Sequence, residues 1–510
     1  MNSLKNFKSN FKLRFAHHIN KKFFTDRMIM RDYINRKLYY ENEGYYSNIN
    51  SIPIGRLESP LDFKNMRGIG DYTKELNEKY PKSTWLTGPE LLRPYFGYAI
   101  GNYILTDFLK KKEKNKTKKN IKIIEIGFGM GGAIDSILEY LKNFSIKNYR
   151  NTEYLGFEVT NILHEKTDLL LRKNHPGLAE ENKLKLINKS IYDYDFNEES
   201  QKFNEEEDEC YLLAFNLVNS LPHDRVKIKM EFYQIYNKEL KAFYEKRDSF
   251  SVSKYNSNHD TDKQEQTYLY KFLKDFLSRD DISQLILENY VNGKNVNSNK
   301  NPYTNYSLEY TNLKDDIVKE MLCYYLYPEN EKFDLFGNQF YSLEMKRKKD
   351  YESWFIKLVR MFMKLGNKDN FVWLPSGVIK FFDFIHRKVP HHKLILLDFD
   401  MLPGKIFNCD YSGENSPAVY SIVENSLKSE THSSIFANYE NKKKPVNVYF
   451  PVDFDLLQLM YKNISGRIST VNKFEYFMMN HSMSEWCETR SGFNPLLDTH
   501  HNTSFLLSND

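Results

Sequence analysis

From position 121 to about 225, short apolar runs alternate with longer amphipathic stretches. Ile121–Ile126 reads as a strand, Ala133–Leu141 as a helix, Tyr154–Val159 as a second strand and Leu163–Arg172 as a second helix. Leu184–Asn188 makes a weak third strand and Tyr211–Phe215 a fourth. Strands that alternate with helical patterns predict a parallel sheet with crossover helices. Strand character returns at Leu394–Phe399 and at Val446–Phe450, so the sheet is expected to be completed late in the chain.

The flanking pattern is different. Met28–Leu38 and Leu91–Leu109 have helical spacing, and the lysine-rich run Lys110–Asn120 reads as a solvated loop. Residues 226–392 read as mainly helical, through Lys227–Arg247, Gln266–Val291 and Tyr351–Leu365. The stretches between them, Ser251–Thr261 and Asn292–Asn305, are rich in Asn, Ser and Lys, as loops are. The chain therefore divides into an N-terminal segment 1–25, a helical extension 26–120, a first sheet portion 121–225, a helical insertion 226–392 and a closing portion 393–510.

Charge changes the picture at the N-terminus. Lys5, Lys8, Lys12, Arg14, Lys21 and Lys22 precede the first acid, Asp26, while Leu4, Phe7, Phe11 and Phe15 fall at helical spacing. A basic, acid-free, amphipathic start is the pattern of a mitochondrial targeting peptide, and a basic arm is the plainer alternative. Without those six cations the formal charge falls from +5 to −1, which gives no general electrostatic case for nucleic acid. The four cysteines lie far apart with no CxxC pair, which speaks against a disulfide framework or zinc site. No run of 18 apolar residues occurs, so no membrane span is expected.

The candidate chemistry sits where the first strand ends. In Gly127-Phe-Gly129-Met-Gly131 the glycines allow a tight strand-to-helix turn and close approach of a ligand. Alone, this pattern suits nicotinamide or flavin cofactors nearly as well. Two acids shift the balance toward S-adenosylmethionine. Glu125, two residues before the loop, can face the ligand's cationic end, and Glu158, at the end of the second strand, can accept from both ribose hydroxyls. Thr160 and Asn161 supply no cation for a 2′-phosphate.

Several segments together resemble the MidA-like methyltransferases, a family that includes a mitochondrial complex I assembly factor acting on arginine. Met30–Tyr46 is similar to its opening helix, glycine and tyrosine pair, and Gly70-Asp71-Tyr72 to its Gly-Asp-Phe motif. Leu86-Thr-Gly-Pro-Glu90 resembles the Thr-Ser-Pro-Glu continuation, displaced by an insertion. The glycine loop and Phe157-Glu-Val-Thr160 match the cofactor motifs. Tyr211–Pro222 stands at the fourth-strand motif, Leu394–Phe399 at the later strand with Asp398 as its acid, and Pro451–Asp455 at Val-Asp-Phe. The resemblance implies a Rossmann-like class I methyltransferase fold with S-adenosylmethionine as cofactor. It also implies a protein substrate or assembly partner in mitochondria, in the matrix. Asp71, Thr87 and Glu90 become candidates for the cofactor or substrate rim, with helix capping as the alternative for Thr87 and Glu90. Asp193 becomes a candidate adenine contact, with a solvated loop acid as the alternative.

One departure bears on the reaction. The family's Glu and Asp of the fourth-strand motif correspond here to Asn216 and Asn219, on the acceptor side. A guanidinium favours a carboxylate, which an amide cannot replace in charge. The expected function is therefore methyl transfer to a protein with an open acceptor, and the alternative is an inactive cofactor-binding assembly factor. His223 reads as a loop histidine without a catalytic task. His391 and His392 read as a polar surface pair, since neighbours point apart and no third metal ligand is placed.

Overall fold

The computed structural model describes residues 27–508 apart from 41–43, 48–51, 82–83, 197–203, 205, 252–259, 294–305, 328–369, 403–408, 411–412, 424–425 and 431–445. The expected targeting peptide (1–25) and the helix expected over Tyr351–Leu365 lie outside the described residues. The chain opens with a two-residue strand β1 (Met28–Ile29) and helix α1 (Met30–Tyr39), followed by α2 (Ile69–Lys79), α3 (Gly88–Leu91) and α4 (Tyr95–Lys114). Helix α4 starts later than expected and runs through the first lysines of the run expected to be a loop. Those lysines fall in its last turn, where cations suit the helix dipole.

The alternation expected from Ile121 is present as β2 (Asn120–Ile126), α5 (Gly132–Phe144), β3 (Thr152–Phe157), α6 (Asn161–Asn174), β4 (Leu184–Ile187) and β5 (Asp208–Phe215). The insertion corrects the helical reading. It contains β6 (Asp224–Ile228), α7 (Met230–Ser251), α8 (Asp260–Leu277), β7 (Ile286–Gly293), β8 (Tyr306–Asn312), α9 (Asp316–Tyr325), β9 (Asn370–Leu374) and α10 (Ser376–Lys388). Short apolar runs such as Ile286-Leu287 cannot be told from a helix by periodicity, and here they pair with other strands. These strands join a second sheet, ordered β1-β7-β6-β9 and continuing through two short strands at Gly413–Glu414 and Cys409–Asp410, with β8 against β7.

The chain then enters β10 (Lys393–Phe399), β11 (Cys409–Asp410), β12 (Gly413–Glu414), β13 (Ala418–Val423), β14 (Ser426–Glu430), β15 (Val446–Tyr449), α11 (Phe454–Ser465), β16 (Ser469–Lys473), α12 (Phe474–His481) and β17 (Thr503–Ser508). The strand expected at Val446–Phe450 exists but pairs with β13 in a separate three-stranded sheet. The main sheet is completed by β10, where the strand at Leu394–Phe399 was expected, and beyond it by β17 and β16.

Its order is β4-β3-β2-β5-β10-β17-β16, with β17 antiparallel to both neighbours and β2 to β5 and β10 parallel. This is the Rossmann-like methyltransferase fold. Alternate residues of the buried strands feed two cores. Leu212, Ala214, Leu394, Leu396 and Leu506 pack on one face, and Tyr211, Leu213, Ile395, Leu397 and Phe505 on the other. Strand order reverses between β2 and β5, and ligands bind at such a switch point, outside the carboxyl ends of the strands.

Candidate functional site

A cleft opens at that switch point, enclosing about 860 Å³ including its mouth. Its lining includes Gly127, Gly129, Glu125 and Glu158, together with Thr87 and Glu90. The loop turns through Gly127, Gly129 and Gly131 at φ of 74°, 55° and 75°. Gly131 does not line the cleft, and its role is to fit the chain: a Cβ there would meet Thr167 Cγ2 at 2.6 Å, in a conformation that already favours glycine. The Thr167 hydroxyl in turn donates to the carbonyl of Gly129 at 2.9 Å, tying α6 to the loop.

Three carboxyl groups face this end of the cleft, all buried. Glu125 accepts from Tyr154 Oη at 2.9 Å, and burial, reinforced by the Glu90 and Glu158 charges, pushes it up to about 8. Glu158 accepts the N–H of Gly129 at 3.0 Å through one oxygen and that of Thr160 at 2.9 Å through the other. Burial raises it all the same. Glu90 accepts the N–H of Gly132 at 2.6 Å and lies 3.3 Å from Arg93 Nε and 3.8 Å from Arg56 Nε. Burial raises it too, against the pull of the two guanidinium groups. Buried acids held above their ordinary range in a glycine-walled cleft fit a ligand with a cationic end, because a cation would relieve the cost of ionising them.

The capping alternative for Thr87 and Glu90 takes an unexpected form. Thr87 precedes α3 but its side chain makes no cap hydrogen bond. Glu90 caps not its own helix but α5, whose first residue is Gly132.

The carboxyl end of β5 carries Asn216 and Asn219, and both line the cleft. Asn216 sits at φ 52°, its N–H donating to the carbonyl of Leu397 at 2.8 Å. Asn219 donates its N–H to Asp398 Oδ2 at 3.0 Å and accepts from the N–H of Phe450 at 2.8 Å. Asp398 itself is fully buried, also accepts from the N–H of Phe399, and is pushed up to about 7 by burial. It shapes the turn and is not part of the cleft wall. The nearby motif acid Asp453 accepts from the N–H of Leu456 and caps α11.

Other expectations are corrected by placement. Asp193 lies on a short turn after β4 and does not line the cleft. Asp71 is on α2, paired with Arg67 at 2.9 Å outside the cleft. His392 is no surface residue: it is completely buried, with Tyr461 Oη 3.2 Å from its Nε2, whereas His391 is exposed. His223 is buried and stacked on Phe450 at 3.7 Å, and desolvation pushes it down to about 3, so it stays neutral and away from the cleft.

The aromatic wall was not anticipated. Tyr39 and Tyr46 stack at 5.4 Å, and Trp85 lies 5.5 Å from Tyr449; all four line the cleft. Tyr39 Oη donates to the carbonyl of Ser220 at 2.9 Å, and Tyr46 Oη lies 3.0 Å from Ser220 Oγ. The N-terminal extension is thereby bound to the turn after β5. The available signal was the tyrosine pair after Gly44, and Trp85 directly before the Leu86–Glu90 motif.

The profile of the family described as "Putative S-adenosyl-L-methionine-dependent methyltransferase" matches residues 99–472 of the 510. Among solved structures, a superfamily member from Burkholderia thailandensis bound to S-adenosyl-homocysteine is 10% identical, with a TM-score of 0.46 over 95% of this chain and 88% of that one. A native crystal structure of a superfamily protein from the same bacterium is 9% identical, with a TM-score of 0.47 over 95% and 87%. No curated protein matches the chain. With the profile spanning most of its length, the chain belongs to this S-adenosyl-L-methionine-dependent methyltransferase family, of the MidA-like kind.

Proposed function

We propose that the protein transfers the methyl group of S-adenosylmethionine to a protein side chain, and that it works in the mitochondrial matrix. The observation that carries the chemistry is the pairing of an acid-lined, glycine-walled end of the cleft with an uncharged amide and aromatic end, across adjacent strands β2 and β5. When bound, the cofactor supplies a methyl already activated on a sulfonium, so the protein's task is alignment more than acid–base chemistry. Glu125 and Glu90 would hold the ammonium end, and Glu158 the ribose hydroxyls. Asn216 and Asn219 would orient the acceptor, while Tyr39, Tyr46, Trp85 and Tyr449 exclude water from the transfer path.

The matrix assignment and the protein substrate rest on the N-terminal pattern and on the near-neutral charge that remains without it. Arginine is disfavoured as acceptor, because no carboxylate stands at Asn216 or Asn219.

Calorimetric titration with S-adenosylmethionine and S-adenosylhomocysteine tests the cofactor half. Both should bind, and Glu158→Gln should weaken binding by about tenfold or more, since charge-assisted hydrogen bonds contribute ~1.5–3 kcal/mol. A protein that binds neither ligand would sink the proposal. Binding without transfer of tritiated methyl to any protein of a mitochondrial extract would favour the inactive assembly factor instead. A fluorescent protein carrying residues 1–25 should enter mitochondria, and its exclusion would refute the location.

A further inference from the structure

The turn after β5 holds two polar atoms that the fold leaves unused. Asn216 Oδ1 is buried on the cleft wall without a hydrogen-bond partner. Asn219 Nδ2 is likewise buried and meets no acceptor at hydrogen-bond geometry, although Asp398 lies close to it. Asn219 as a whole is 0% exposed. Its other end is committed, because Oδ1 accepts from Ser220 Oγ at 2.7 Å, which fixes the orientation of the amide. The backbone around both residues is also committed, to Leu397, Asp398 and Phe450. What remains for a ligand is therefore one acceptor and one donor.

That pair has a specific complement. A primary carboxamide offers an N–H donor and a C=O acceptor side by side. A guanidinium or an ammonium offers donors alone, and either would leave Asn219 Nδ2 facing another donor. The charge balance points the same way. The charged side chains that line the cleft are Glu90, Glu125 and Glu158, all on the cofactor side, and those at the end of β5 are neutral. A cationic acceptor would have to approach a sulfonium with no carboxylate lining that end of the cleft. Stacked Tyr39 and Tyr46 add a flat wall beside the turn, which suits a planar amide.

We propose that the methyl acceptor is the uncharged carboxamide nitrogen of a glutamine or asparagine side chain, read by Asn216 Oδ1 at its N–H and by Asn219 Nδ2 at its carbonyl; this rests on the methyl-transfer reading above. The amide nitrogen forms the bond to the methyl carbon. The methyl–sulfur bond breaks with its electron pair on sulfur, which becomes a neutral thioether. The second N–H of the primary amide is lost as a proton to water, leaving a secondary N-methyl amide. Asn216 polarises the N–H it accepts and orients the nitrogen lone pair toward the methyl, without taking the proton.

Two measurements on the full chain test this. In the first, protein labelled with ¹⁵N-asparagine and saturated with S-adenosylhomocysteine is titrated with propionamide, ethylguanidinium and propylammonium. Propionamide should shift the Asn219 side-chain resonance, identified by its loss in Asn219→Ser, and should bind at least about tenfold more tightly than either cation. Asn216→Ala should abolish that response while retaining S-adenosylhomocysteine affinity, which reports that the variant is folded. Tighter binding of either cation, or no response to any of the three probes, overturns the proposal. In the second, tritiated methyl is transferred from S-adenosylmethionine to a mitochondrial extract, and the products are hydrolysed in acid. A methylated carboxamide releases labelled methylamine, which distils once the hydrolysate is made alkaline, whereas methylarginine and methyllysine stay non-volatile. Volatile label supports the proposal, and label confined to the non-volatile fraction overturns it. No label in either fraction overturns it together with methyl transfer, while cofactor binding persists; failure to bind S-adenosylhomocysteine at the outset removes the cofactor reading itself.

Discussion

The carboxylate of Glu90 accepts the N–H of Gly132 at 2.6 Å, so an acid 42 residues upstream caps the helix that leaves the cofactor loop. The first N–H groups of a helix have no partner within it, and a buried carboxylate there satisfies one and matches the dipole. It also explains the glycine: a Cβ on residue 132 would stand 2.4 Å from Glu90 Oε1. Glu90→Ala should lower folding stability by about 1–2 kcal/mol, the usual range for a lost cap. Glu90→Gln, which keeps an acceptor oxygen, should cost less. Urea denaturation of both variants checks the order, and equal losses would contradict the cap.

Glu125 should make cofactor binding release protons. Its value of about 8 in the free protein means that the carboxyl is mostly protonated near pH 7. An ammonium beside it favours the ionised form, so binding lowers the value and expels the proton. Affinity should therefore rise as pH rises from about 6 toward 7, below the range of about 7.7–8.0 in which the ligand's own amino group loses its charge. Calorimetry near pH 7 in buffers of different ionisation heat should show net release from the protein and none from Glu125→Gln. Net uptake would contradict the assignment.

Arg31 binds the N-terminal helix to the insertion. Its guanidinium lies 2.7 Å from Asp224 at the start of β6 and 2.5 Å from Asp315, which also caps α9. Asp224 is 1% exposed, so removing its partner leaves a charge in the interior. Arg31→Met should cost about 3–5 kcal/mol. Adding Asp224→Asn should recover part of that loss, because it removes the stranded charge. Denaturation midpoints of the single and double variants decide it, and a double variant weaker than the single one would be contrary.

Asp398 should tilt the pH dependence of stability. Its folded value near 7 stands above the ordinary carboxylate value of about 3.9. The folded state therefore holds this proton more tightly than the unfolded state, and ionising it is unfavourable for folding. The contribution should be greatest below about pH 4 and should fall as pH rises toward 7, by at most about 1.4 kcal/mol for each unit. Asp398→Asn should flatten the curve in that window relative to the unchanged protein. Identical slopes for the two would show that the aspartate does not titrate there.

Much of the nucleotide-binding half was legible because its signals are local. Gly127–Gly131 must turn tightly, and Glu125 and Glu158 lie at strand ends, so their positions follow from strand boundaries that apolar runs mark well. Asn216 and Asn219 came from the resemblance of the fourth-strand motif, and the structure places both on the cleft lining. The second sheet was not, since its strands gain their identity from partners far along the chain: β6 pairs with β9 across the whole insertion. The aromatic wall was hidden likewise. Tyr46 belongs to the tyrosine pair after Gly44, but the pair does not mark it or Tyr39 as cleft residues, and the bonds to Ser220 hold them there. Asp193 differs in the opposite direction, as an acid after a strand end that lies outside the cleft lining.

The strand order also has a consequence for the timing of assembly. β16 reaches the main sheet through β17, which lies between it and β10. Residues 469–473 are synthesised before 503–508, yet their seat in that sheet exists once the later strand is laid down. During translation the earlier strand must wait, with its apolar surroundings unsatisfied, until β17 has docked on β10. An aggregation-exposed stage of folding is thus expected until residues 503–508 emerge, well after the glycine loop has left the ribosome.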